Sequence, residues 1–390
     1  MNAKMWKLAV LLLCHLTVDF YAGLTLPLPE PTLINHYGAS LGRVMLLVAA
    51  AAIVCNAVQP LAGLILPRRP LPWLLWVCPL LAATVALIGF ATNYAVGWLL
   101  FMVSAVGIGV MHPEAVLAAQ ALSGRRIGMV TALFMSVGFF GFSLGSLAGG
   151  WWGARWGLTR FWLLAAPAFA TAAMVWASGL CTLRSSRAAV PDDDVRGPLP
   201  FASVFAVGSL MAVNLTLLYR LLPVFMVRRF GDPAQADAGT LLFLVGLFGA
   251  VGGVSLGMVS DRLGTLRTMV AVYLAGLPAV LMLLRMSSAT AGFGWAVLTG
   301  LTIGGSFPLA VMLARQAKSF PLRLRIGLGI GGAWGLGEFS VILASYYIDM
   351  FPEGDYAPVR TMLYAAPALM GIIILLAIRL ARQAREMEST

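Results

Sequence analysis

Charge is what this 390-residue chain has least of. Only 11% of its residues are Asp, Glu, Lys or Arg, less than half of the roughly 25% with which a soluble protein covers its surface. With 60% hydrophobic residues and a mean hydropathy of +0.90, the outer surface is expected to face lipid, which excludes an ordinary soluble domain. Acids are the scarcest charge, 15 against 26 Lys+Arg, for a net +11. On a soluble protein that balance would point to nucleic acid. Here the bases stand in pairs between apolar runs and not along one face, so no nucleic-acid partner is expected. Histidine occurs only three times, as His15, His36 and His112. There is no HExxH, GxSxG or phosphate-cradling loop, so neither an enzyme, a metal site nor a cofactor is expected. The four cysteines, Cys14, Cys55, Cys78 and Cys181, all fall inside apolar stretches and suit buried small hydrophobes better than disulfides or a redox pair.

What fills the chain instead is a series of apolar runs. A spanning helix needs about 20 such residues, and runs of that length lie near 7–27, 43–66, 71–91, 95–119, 128–151, 160–182, 202–227, 238–258, 268–285, 292–314, 327–349 and 361–380. The pattern predicts an all-α membrane protein of twelve transmembrane helices. The first run, with Lys4 and Lys7 ahead of an apolar centre, imitates a secretory signal. It carries no small-residue cleavage site and continues to Pro27, so it is expected to stay as the first span. The connections are short except at 184–200, a polar, proline-bearing stretch at mid-chain. It predicts a cytoplasmic linker between a six-helix bundle over 1–183 and a second over 201–390 with a short tail.

Basic loops are retained in the cytoplasm. With the N-terminus inside, eighteen Lys and Arg fall on the cytoplasmic side and seven outside, while Arg220 stays within a span. Both termini are therefore expected in the cytoplasm, as an even number of spans requires.

The halves also resemble each other. Pro113 and Pro308, Ala115 and Ala310, and Val116 and Val311 each stand 195 positions apart; Gln120-Ala121 and Gln316-Ala317 follow after one inserted residue. A glycine-rich run comes next in both halves, Gly138, Gly141, Gly145 and Gly149 in one and Gly327, Gly331 and Gly335 in the other. Spacings of three and four put such glycines on one helix face, where another helix can approach closely.

Ionisable residues inside spans cost about 2.5–3.5 kcal/mol each at a helix centre, so each needs a reason. His15 and Asp19 are one helical turn apart on one face of the first span. Counted from Lys7 at 1.5 Å per residue they lie about 12 and 18 Å in. The pair can load and release a proton or touch substrate; the alternative is a structural hydrogen bond to a neighbouring helix. His112 and Glu114 flank Pro113 and point about 200° apart, so only one can face a central cavity. His112 is the candidate cavity contact and Glu114 the candidate for gating or protonation, unless the motif only shapes the proline kink and braces the bundle. Glu338 sits among glycines beside Trp334; it is expected to meet a partner from the other half or to face the cavity as a proton-coupling candidate, with Trp334 as a cavity contact. Arg220, with Asn214 and Tyr219, either snorkels to the outer interface or serves as counter-ion to an anionic substrate group. Asp349, at the end of its span, suits a solvated cap.

Gly257-Met-Val-Ser-Asp261-Arg262-Leu-Gly264-Thr-Leu-Arg267 makes a tight turn between the eighth and ninth spans, in which Asp261 can cap a helix N-terminus or pair with an arginine. This motif resembles the G-x-x-x-D-R-x-G loop of the major facilitator superfamily. The corresponding stretch of the first half has Pro67 before Arg68 and Arg69 in place of the acid, which implies a carboxylate latch in one half only. Within that superfamily, His15-Leu-Thr-Val-Asp19, Gln59-Pro60-Leu-Ala-Gly63, Pro70-Leu-Pro72-Trp73, Gly107-Ile-Gly109-Val-Met-His112-Pro113-Glu114 and Arg325-Ile326-Gly327 look like the fosmidomycin resistance protein family of drug exporters. The resemblance covers nearly the whole chain, and the segment around His112 is its most specific part. It implies a monomeric transporter whose two halves rock about a midplane cavity lined by spans one, four, seven and ten. It also implies proton-driven export of a small polar or anionic compound across a bacterial inner membrane, with substrate, protons and lipid as the partners. Uptake or facilitated diffusion by the same fold is the alternative, because direction depends on coupling and not on helix count.

Overall fold

The computed structural model describes residues 3–65, 71–123, 127–183, 199–318, 320, 325 and 327–388. Helix dominates the described residues. Ten helices are long and apolar enough to cross a membrane, and two shorter apolar helices accompany them. In chain order these are α1 (Ala3–Leu24), α2 (Leu41–Ile65), α3 (Leu74–Phe90), α4 (Tyr94–Ser123), α5 (Ile127–Trp156), α6 (Phe161–Ala177), α7 (Phe201–Phe230), α8 (Ala234–Leu263), α9 (Thr265–Leu284), α10 (Gly292–Arg315), α11 (Leu328–Ile348) and α12 (Ala357–Glu386). The twelve coincide in order and position with the twelve apolar runs. Hydropathy alone dictates this much, because a lipid-facing segment must satisfy its own backbone and only a helix does so within one segment. The two short members, α3 and α6, each combine an α-helical with a 3₁₀ stretch.

The chain divides into two compact units, Met1–Val190 and Pro191–Thr390. Of the anticipated linker at 184–200, residues 184–198 lie outside the described residues, as do Arg68, Arg69, Arg125, Arg126 and Arg323.

In the first unit α1 and α5 pack most closely. The glycine stripe is the cause: a Cβ added at Gly141, Gly145 or Gly149 would overlap the carbonyl oxygens of Leu16, Phe20 or Leu24, respectively. Gly23 returns the arrangement, its Cα lying against the carbonyl of Phe142. With no side chains between them the two backbones meet directly, as small-residue stripes permit. Thr17 and Thr171 share a 2.8 Å hydrogen bond that ties α1 to α6. The Tyr21 hydroxyl donates to Leu164 O at 3.0 Å and accepts from Ala168 N at 3.1 Å.

In the second unit α7 is the most buried element, packed on α8, α11 and α12. Its glycine face is less regular. A Cβ at Gly337 would meet Thr216 and Ala212 of α7, whereas one at Gly335 would have nothing within 4 Å. The 195-residue repeat also diverges. Pro113 lies inside the continuous α4. Pro308 stands in the first turn of a helical segment that restarts at Phe307, after a π-helical turn over Gly300–Gly304. Proline lacks the N–H that a helix interior needs but fits the first turn, so the same residue kinks one helix and starts a segment of the other.

Candidate functional site

The first unit gathers three ionisable side chains. His15 and Asp19 lie on successive turns of α1, with His15 Nε2 3.2 Å from Asp19 Oδ2. From α4, His112 brings its Nε2 to 3.3 Å from the other carboxylate oxygen, Oδ1. The carboxylate is thus held between two imidazoles whose rings meet edge to face, centroids 5.1 Å apart. His15 is 2% exposed, Asp19 17% and His112 22%, so the site has a sealed side and an accessible one.

Backbone carbonyls fix both rings from behind. His15 Nδ1 lies 2.9 Å from Phe134 O on α5, and His112 Nδ1 2.8 Å from Ile108 O in its own helix. Phe134 also stacks on the His15 ring, centroids 3.8 Å apart and planes 12° from parallel. Gly138, one turn on from Phe134, leaves room for the pair: a Cβ there would overlap His15 and the Asp19 carboxylate. The stripe that draws α5 onto α1 therefore also shapes the space around the acid.

Glu114 takes no part in this cluster. It is buried, and its Oε2 accepts a hydrogen bond from Leu71 N at 3.0 Å, just ahead of α3. That contact matches the bracing alternative for the motif around Pro113, and the wide angle between His112 and Glu114 on one helix is its cause.

The second unit has a different constellation. Arg220 of α7 and Glu338 of α11 form a two-pronged ion pair, Nε to Oε2 at 3.1 Å and Nη2 to Oε1 at 2.8 Å. Both side chains are more than nine-tenths buried. The snorkelling alternative for Arg220 is overturned. A charge held inside apolar packing needs its counter-charge at hand, and Glu338 supplies it; the partner anticipated for Glu338 from the other half is instead Arg220 of its own unit. Arg220 Nη1 is buried with no hydrogen-bond partner among the described residues. Asn214 donates its amide to Ala366 O of α12 at 2.6 Å and is buried, so it joins two helices where cavity contact was anticipated. Tyr219 is half-buried beside Arg220, and Trp334 lies against Phe307, centroids 4.8 Å apart.

At the turn after α8, Asp261, Arg262 and Arg267 are exposed and Gly257 has open space around its Cα. Gly264 makes the turn with φ +83°, and α9 begins without a side-chain cap. The anticipated capping of that helix by Asp261 is therefore not found. Its residue is still in the last turn of α8, and the local hydrogen bond runs from Ser260 Oγ to Thr265 Oγ1 at 3.2 Å. The corresponding stretch of the first half, 66–70, lies outside the described residues.

Sequence reasoning missed Phe134, Ile108 and Leu71, which act through backbone atoms that leave no mark in residue identity. It also weighed Arg220 and Glu338 separately. Their signal was present: they are opposite charges deep in spans of the same half.

Twelve apolar helices in two units, with ionisable clusters buried inside them, have a recognisable counterpart. The pattern of the Major Facilitator Superfamily matches residues 11–329. The chain belongs to the Major Facilitator Superfamily. As a member it is a multi-pass membrane protein and a secondary transporter, not an enzyme. It is 25% identical over 359 residues to the Fosmidomycin resistance protein of Escherichia coli (strain K12), covering 88% of this chain and 86% of that relative. An uncharacterized transporter of the superfamily from Bacillus subtilis (strain 168) is 22% identical over the same shares. Among solved structures, a bacterial homologue of the human lysosomal transporter Spinster superposes with a TM-score of 0.77 over 98% of both chains at 15% identity; at that identity the likeness is one of fold.

Proposed function

We propose that this superfamily member is a proton-coupled exporter, an antiporter that moves a small polar or anionic compound out of the cytoplasm of a bacterium by alternating access. The observation that carries the reading is the Asp19 carboxylate held between two imidazoles inside apolar helices. All three groups exchange protons, and among the described residues no permanent cation pairs with the acid. Loading the cluster changes the charge buried between α1 and α4, and a change of that kind biases a protein with two conformations toward one of them. One proton moving down 100 mV supplies about 2.3 kcal/mol, or roughly fiftyfold accumulation.

Outward direction is supported by the relative named for fosmidomycin resistance. The excess of Lys and Arg in alternate loops supports an inner-membrane protein with both termini cytoplasmic. For an anionic substrate group the proposed partner is Arg220, whose Nη1 is free to donate once the surrounding helices part, with Tyr219 and Trp334 as neighbouring contacts. Glu338 would then be the acid that Arg220 exchanges for substrate, and the exposed turn with Gly257, Asp261, Arg262, Gly264 and Arg267 the gating loop. Glu114 is proposed as a brace.

The test uses fosmidomycin as the probe in inverted membrane vesicles with an imposed pH gradient. Proton-dependent accumulation is expected in the wild type and its loss in Asp19→Asn at equal protein level. Full activity in Asp19→Asn removes Asp19 from the coupling, and gradient-driven uptake into intact cells in place of efflux favours the import reading.

A further inference from the structure

We infer that His15, Asp19 and His112 form a two-proton site, with one exchangeable hydrogen in each gap flanking the carboxylate, so that each transport cycle moves two protons. The inference deepens the proton-coupled reading above and rests on it for the word cycle; the proton count itself stands on the geometry.

A backbone carbonyl can only accept a hydrogen bond. His15 Nδ1 faces Phe134 O and His112 Nδ1 faces Ile108 O, so in this arrangement both Nδ1 atoms carry hydrogen. A neutral imidazole has one N–H. With that hydrogen committed at Nδ1, each neutral ring turns a bare Nε2 lone pair toward Asp19. The two Nε2 atoms stand 3.2 and 3.3 Å from the two carboxylate oxygens. Without a hydrogen in the gap, each contact sets lone pair against lone pair.

Filled by protons alone, the closed arrangement of the structure needs a hydrogen in both gaps, whichever heavy atom each is bonded to. Counted with one proton per gap, the cluster is two imidazoliums and a carboxylate, net +1. Removing one proton makes it neutral and leaves one gap repulsive; removing both makes it −1 with both gaps repulsive. Two protons bind from one side and leave to the other, and no covalent bond beyond N–H or O–H changes.

Among the described residues, few other titratable groups stand on the elements packed around the cluster. On α1 the remaining titratable groups are Lys4 and Lys7 near the start, Cys14, and Tyr21, whose hydroxyl is engaged by α6. α5 contributes only Arg155, at its far end, and α6 none. α3 contributes Cys78; on α4 Glu114 is turned to Leu71 N and Tyr94 stands at the far start; α2, packed on α4, contributes Arg43 and Cys55. Among the described residues of these elements, the three-membered cluster is the only grouping in which two imidazoles share one acid.

Histidine occurs only at 15, 36 and 112, so ¹⁵N-histidine NMR of the full chain in lipid nanodiscs resolves the question without any substrate. His36, in the connection between α1 and α2, serves as the internal reference. At high pH the neutral rings of His15 and His112 are expected in the Nδ1–H tautomer, the reverse of the form usual for free histidine. On acidification both are expected to gain Nε2–H in coupled steps that become independent in Asp19→Asn. In His112→Gln, whose amide can still donate to Asp19, proton uptake by the purified protein over the same range should fall by one. An Nε2–H neutral tautomer at either ring, titrations indifferent to Asp19→Asn, or an uptake undiminished in His112→Gln would each overturn the inference. Because the count is read without substrate, a one-proton site with proton-driven transport sinks this inference alone. A two-proton site with transport indifferent to the gradient sinks the proposed function alone.

Discussion

The two units bury charge in opposite ways. In the first, an acid sits between two imidazoles, so every member can take up or release a proton; in the second, an acid grips a guanidinium, which does not deprotonate in proteins. Both arrangements satisfy the demand that a buried charge be paired. Only the first can change its net charge through both partners. The units also differ in how they hold these groups. The first presses two backbones together along a glycine stripe directly beside its acid; the second makes its close glycine contacts between α8 and α10, as at Gly252 against the Leu301 carbonyl, and seats its acid next to Gly337 of α11. Repeated halves can thus share a helix order and still divide their work, one suited to proton exchange and the other to a switchable or structural pair.

The largest effect is expected from breaking the second unit's pair. Arg220→Met alone leaves Glu338 buried without its partner and should destabilise the protein by about 3–5 kcal/mol. The double substitution with Glu338→Met should recover most of that loss; thermal unfolding in detergent followed by tryptophan fluorescence reads both. If single and double variants are equally unstable, the pair is not what holds α7 to α11.

Next comes the stripe. Gly141→Ala places a methyl against the Leu16 carbonyl and should cost about 1–3 kcal/mol by overpacking. Gly335→Ala meets nothing and should be neutral or stabilising by about 0.5–1 kcal/mol, the helix-interior preference for alanine. Equal effects at the two sites would remove the contrast between the units. A smaller loss, about 1 kcal/mol, is expected of Thr17→Val, which leaves the Thr171 hydroxyl without its partner. Smallest in stability is Asp19→Asn, expected within about 1 kcal/mol of the wild type because the amide keeps the shape and one hydrogen bond, although proton coupling is lost. Should Asp19→Asn unfold the protein as Arg220→Met is expected to, the acid is structural in both units and the comparison fails.

Much of this was legible in residue order. Spans follow from apolar length, and the one-turn contact of His15 with Asp19 follows from helical period. The glycine face of α5 follows from spacings of three and four, since each is a property of a single helix. Less legible was where those faces point. Separations of 93 positions from Asp19 to His112 and of 118 from Arg220 to Glu338 carry no periodicity that announces a contact, and the two histidines had been given separate roles. The turn at Asp261 shows the reverse error: a motif suggested a cap, but α8 runs on to Leu263 and leaves the carboxylate exposed.

By itself the sequence determined that the chain lives in a membrane, that it is built of about twelve helices in related halves, and which few residues must answer for buried charge. These depend on hydrophobicity and local helical geometry, which act over a handful of residues. Only the tertiary structure decided that Asp19 has two imidazole neighbours and Arg220 a carboxylate. Which helix meets which, and at what height, depends on the fit of whole faces and on backbone atoms such as Phe134 O and Ile108 O, whose position no residue type encodes.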